Sequence, residues 1–242
     1  MISKRAFLAL SFASSFLAVP VQAAKDTELL EAIQKLKDAG SYTWRTELRI
    51  SPGPTAPMVT EGWYSATQGL YVKVRSEKHS VELAVRSGVV VARTGDEWRP
   101  VKKFTRSDLD HSMIRGLADL KLPHLDLAQI QDSWRSSRKN TADQFGGQVG
   151  LNAARKLVDL LIQQAGARLG NHSIAQSNAS VILSGGLPSR YVLESRFSGP
   201  PGLLSSGQGM QVVLITQFSN VGSTTVTLPT AAEAAIIAEQ TR

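Results

Sequence analysis

The sequence predicts an α+β protein built on an antiparallel sheet. Three observations carry that prediction. Short segments place apolar residues at every second position, turn residues sit close between them, and amphipathic segments gather at the start and middle of the chain. Parallel strands would need long crossovers, for which the spacing leaves no room.

Taken in order, Asp26 or Thr27 can cap a first helix carrying Leu29, Leu30, Ile33 and Leu36 on one face, with Gly40 as its stop. The period then changes to two. Over residues 41–50, Tyr42, Trp44, Thr46, Leu48 and Ile50 alternate with Thr43, Arg45, Glu47 and Arg49, the signature of a strand with one wet face. Further strands are expected at 58–66, 69–76, 80–86 and 89–94, with a sixth at 98–104. Ser87-Gly88 and Gly95-Asp96 stand where tight turns are wanted. Leu109, Met113, Leu117 and Leu120 mark a helix over 107–120, capped by Ser107 and stopped by Pro123. A second helix is expected at 125–134, then a polar basic stretch at 135–140. A third helix begins with Asn152 as cap and ends at Gly166. Strands return at 180–183, 187–197, 210–218 and 223–228, and an alanine-rich helix from Thr230 closes the chain. Helices can cover such a sheet either by plugging an open barrel or by lying across a flat surface.

Lys4 and Arg5, an apolar stretch over 6–19, Pro20 and the small residues before Ala24 have the layout of a cleaved secretory signal. Residues 1–23 are therefore expected to be a signal peptide and 24–242 a single domain, exported to a periplasm. The 242 residues carry 27 basic and 20 acidic side chains. Acids are interleaved among the bases and no recognition motif appears, which argues against a nucleic-acid partner. The mild positive charge suits solubility, or a location near an anionic membrane surface. The absence of cysteine excludes disulfides, thiol catalysis and an N-terminal lipid anchor.

No nucleophile elbow, phosphate loop or metal-ligand spacing occurs, so no catalytic residue, metal or cofactor is assigned. Asp108, Asp110 and His111 cluster in sequence. A hydrolytic site is one reading of them, and favourable negative charge at a helix N-terminus is the other. The sequons at Asn171 and Asn178 read as chance occurrences.

The segments "LKDAGSYTWRTELRI", "TEGWYSATQGLYVKV", "SVELAVRSGVVVARTGDEWRPV" and "GGLPSRYVLESRF" follow one another in an exported chain. The ending "MQVVLITQFSNVGSTTVTLP" places Phe218, Asn220, Gly222, Leu228 and Pro229 in a typical pattern. In these features the chain resembles the LolA/LolB-like lipoprotein carrier superfamily, over nearly all of the segment after residue 23. The resemblance implies a strongly bent antiparallel half-barrel whose concave face is covered by helices, and a non-catalytic protein that shields acyl chains of lipids or lipoproteins. The hairpin Tyr64-Ser-Ala-Thr-Gln-Gly69 lacks the arginine and proline that tether the lid in the carrier, which favours a general hydrophobic-ligand binder. The expected cavity residues are Trp44, Leu48, Leu70, Val72, Leu83 and Val85, with Met113 and Leu117 from the covering helix. The alternative is a structural or interaction protein of the envelope with a filled core and no ligand.

Overall fold

The structure, a computed structural model, describes residues 27–52, 56–77, 79–105, 111–164, 173–198 and 209–241. The predicted signal peptide lies outside them.

Helix α1 (Thr27–Asp38) buries Leu29, Ala32, Ile33 and Leu36, the stripe expected from its spacing. Gly40 then takes a positive φ of 67°, which lets the chain reverse directly into the sheet. Six strands run as a meander: β1 (Ser41–Ser51), β2 (Met58–Ser65), β3 (Gly69–Arg75), β4 (Ser80–Arg86), β5 (Val89–Thr94) and β6 (Glu97–Pro100). Helices α2 (His111–Ala118) and α3 (Pro123–Asp132) follow, then the hairpin β7 (Trp134–Thr141) and β8 (Gln144–Val149). Helix α4 (Leu151–Gln164), strands β9 (Ser173–Ser184), β10 (Leu187–Ser198) and β11 (Met210–Ser219), and helix α5 (Thr230–Gln240) complete the order.

The eleven strands of the described residues form one antiparallel sheet, in the order β6-β5-β4-β3-β2-β1-β11-β10-β9-β8-β7. The β1–β11 pair, with Leu48 opposite Leu214, joins the two meanders at the centre. Helix α2 packs on β4, α4 packs on β9, and the two helices touch each other. On a flat sheet the six strand spacings between β4 and β9, at about 4.8 Å each, would hold them about 29 Å apart. Packed helices need their axes within about 10 Å. The sheet is therefore strongly bent, and the helices lie on its concave side. One apolar cluster runs continuously from Val81 and Leu83 through Trp44 and Leu214 to Phe145 and Val181, with Met113, Leu127 and Leu157 set into it from the helices.

The opposite, convex side is organised differently. Helix α5 packs on β5 and β6 there. With Val226 and Leu228 it covers Tyr71, Ala84, Val91 and Trp98 in a second, smaller cluster. Arg86 bridges Glu233 at 2.8 Å, and Glu239 pairs with Lys102 and Lys103. Elsewhere on this face charged and polar residues such as Arg45, Glu47, Arg49 and Gln217 stand among Val59, Trp63, Val213 and Ile215.

Several sequence expectations are corrected. The stretch 135–140 is strand β7, and glycine-rich 145–149 is most of β8. Neither carries an apolar alternation, so their strand character comes from pairing, β8 with β9 and β7 with β8, rather than from local propensity. The helix expected at 125–134 runs from Pro123 to Asp132, with Pro123 at its first turn, where a missing N–H costs nothing. Residues 223–228 form no strand. β1 and β10 already occupy both edges of β11, and the segment turns onto the convex side, where Val226 N–H donates to Gln68 Oε1 at 2.7 Å. The sixth strand ends at Pro100, not Phe104. Asn152 lies inside α4 rather than capping it. Ser107 and Gly166, expected helix boundaries, lie outside the described residues, as does Asn171; Asn178 is inside β9.

Trp44 lies across its strand partner Gly62. A Cβ at residue 62 would fall 2.1 Å from the indole ring. Because that ring is buried, it has nowhere to retreat. Gly62→Val should destabilise the protein by about 2–3 kcal/mol, read as a lower denaturation midpoint with unchanged m-value. A neutral result would mean that the ring is free to move.

Candidate functional site

On β1 to β5 the concave side takes alternate residues, so register decides which side chains meet. Val72 stands opposite Leu83, and Leu70 opposite Val85. Trp44 and Leu48 lie on β1, and Met113 and Leu117 descend from α2. All eight belong to, or pack against, the one concave cluster. Six of them (Trp44, Leu48, Val72, Leu83, Met113 and Leu117) are 3% exposed or less; Leu70 and Val85 are half-buried. Those six are almost wholly withdrawn from solvent, packed against one another and the covering helix.

The attachment of α2 is chemically uniform. Met113, Ile114 and Leu117 are buried, and neither His111 nor Arg115 makes a hydrogen bond or ion pair with another described residue. Helix α3 is held differently. The hydroxyl of Tyr42 on β1 shares a 2.7 Å hydrogen bond with Nδ1 of His124. The two rings meet edge-on, and Phe218 and Trp44 pack around Tyr42.

Around this pair lies a buried polar set that the sequence reading did not assemble. Thr46 and Thr216 share a hydrogen bond at 2.9 Å, and Thr216 also hydrogen-bonds Tyr191. Asp126 is 8% exposed, and its Oδ1 has no hydrogen-bond partner. Burial lifts its pKa to about 7, with Lys121 opposing. Burial also pushes the phenols of Tyr42 and Tyr191 up, and holds His124 toward its neutral form. The signal in the chain was faint: His124 and Asp126 follow a helix-starting proline, but Tyr42 is 82 residues away.

Of the Asp108, Asp110 and His111 group, only His111 is described, half-buried at the start of α2. Among the described residues, no three His, Asp or Glu side chains come together as a metal site would need, and no helix is long and apolar enough to cross a membrane.

The arrangement defines a class: a bent, open antiparallel sheet whose concave apolar face is covered by helices. No known protein family matches the chain, and no curated protein does. Among solved structures it is similar to the crystal structure of the LolA superfamily protein NE2245 from Nitrosomonas europaea. The identity is 9% and the TM-score 0.32, over 86% of this chain and 96% of that one.

Proposed function

We propose that the chain is an exported, non-catalytic binding protein that takes acyl chains of a lipid or lipoprotein beneath its helical cover, in a bacterial periplasm. The observation that supports this reading is the seating of α2 on the curved sheet through the buried side chains of Met113, Ile114 and Leu117. Apolar contact is non-directional, so an acyl chain can take the place of the helix side chains without breaking a polar pair. Each methylene moved out of water contributes about 0.8 kcal/mol, enough for a modest groove to hold a chain. Met113 suits the moving side, since an unbranched thioether adapts to a changing partner. The pinned Tyr42–His124 contact makes α3 the fixed element and α2 the mobile one. The ligand-binding set is Trp44, Leu48, Leu70, Val72, Leu83, Val85, Met113 and Leu117.

A second reading, a structural envelope protein with a filled core, draws support from the closure of those side chains to water. Native mass spectrometry of protein purified from the host periplasm separates the two. The expected result is a chain beginning at Ala24 with a co-purifying lipid mass, which a fluorescent fatty acid displaces. A clean protein mass that takes up no fatty acid would leave the filled core standing.

A further inference from the structure

We propose that the convex face carries a second binding site, for a carboxylate-bearing saccharide, on the opposite side of the sheet from the helical cover. The inference does not depend on the acyl-chain reading.

Cross-strand register builds the site. Arg190, Gln217, Arg45 and Glu61 are successive partners on β10, β11, β1 and β2, and so form one row across the sheet. The neighbouring row on the same face, about 7 Å along the strands, holds Ser219, Thr43, Trp63 and Tyr71. Two adjoining hollows lie over these rows, of about 340 Å³ and about 180 Å³, and they share Arg45 and Gln217. Trp63 walls the larger one and is braced by stacking on Tyr71 at 5.5 Å. Asn220 stands at its rim, where Thr43 accepts from its amide at 3.3 Å. Among the described residues, helix α5 packs on the β5–β6 end of this face, away from the residues that line the hollows.

The chemistry is that of a sugar site rather than of an ordinary solvated surface. A pyranose ring has an apolar C–H face that suits the negative π-face of a tryptophan, and hydroxyls that both donate and accept. Beside Trp63 the wall alternates a donor, an amide and an acceptor in Arg45, Gln217 and Glu61. Charge then selects within the class. Arg45 pairs with Glu61 at 2.8 Å and Arg49 with Glu47 at 2.9 Å. Among the described residues Arg190, which lines the smaller hollow, is paired with no carboxylate. One guanidinium is left for an anion, and a sugar carboxylate beside the stacked ring supplies it through charge-assisted hydrogen bonds.

The test compares two disaccharides that differ in one lactyl carboxylate, N-acetylglucosaminyl-N-acetylmuramic acid and N,N′-diacetylchitobiose, by titration calorimetry on the full protein. The acidic sugar is expected to bind about tenfold more tightly. Arg190→Gln should remove that preference and leave the neutral sugar's affinity unchanged. Trp63→Ala should weaken both by about tenfold. Should Trp63→Ala lower the melting temperature by disturbing Tyr71, Gln217→Ala, which has no side-chain partner, carries the same test. Absence of binding by the acidic sugar, equal affinity for the two sugars, or full affinity in both Trp63→Ala and Gln217→Ala would overturn the proposal.

Discussion

Asp126→Asn is expected to stabilise the protein by about 2–4 kcal/mol at about pH 8 and by almost nothing below about pH 4. For a chain of this size that is a rise in melting temperature of about 5–15 °C at the alkaline end. The cause is the buried carboxyl with one unpartnered oxygen, whose pKa stands at about 7 against an ordinary 3.8. A carboxyl that ionises more easily unfolded than folded leaves the folded chain holding the extra proton between those two values. Stability contributed by this group is therefore complete below the unfolded pKa, falls as pH rises toward about 7, and is level above it. Asparagine has no charge to desolvate, so the gain should grow through the same window. Tyr42 and Tyr191, the phenols nearest Asp126, stay protonated throughout, and Lys121 favours the charged form. His124 contributes equally to both proteins, so their difference at each pH isolates Asp126. Thermal melts at half-unit pH steps make the measurement. A constant offset across pH, or a loss of stability at about pH 8, would show that Asp126 is not a desolvated acid.

A disulfide placed between α2 and α4 should nearly abolish uptake of a fluorescent fatty acid, and a reductant should restore it. The experiment is clean because the chain contains no cysteine of its own. The two helices already touch over the concave face, so a bond between them locks the cover without reshaping the sheet. The expectation follows from burial: six side chains of the proposed site are 3% exposed or less, so on the proposed reading a ligand enters when α2 moves. Equal uptake in the oxidised and reduced forms would mean that chains bind elsewhere, or that α3 is the element that opens.

Local pattern and long-range packing contributed differently to what could be read from the chain. The first meander was legible because β1, β3 and β4 alternate, and Gly69, Gly88 and Gly95 take positive φ in the turns after β2, β4 and β5. The β7–β8 hairpin was not legible. Trp134–Thr141 is almost wholly polar, and Gly146-Gly147 interrupts β8 with residues that disfavour strands. Residues 223–228 show the converse error, an alternating segment for which the sheet has no free edge beside β11. For the proposed site, six of the eight apolar residues came from alternation on strand faces and Met113 and Leu117 from helical spacing, whereas the polar set beneath α3 had no such pattern. A hydrogen bond between Tyr42 and His124 leaves no spacing to recognise.

Residue order alone determined which side chains share a face of each strand, and therefore which could ever meet under the helices, since a period of two is a property of the extended backbone itself. The folded chain decided the rest: that the sheet bends, that β1 and β11 join its halves, that α5 lies on the other side from α1 to α4, and that Arg190 comes to the row of Arg45 and Glu61. Those outcomes depend on pairings between residues far apart in the chain, which are set by the total surface buried and not by any local preference.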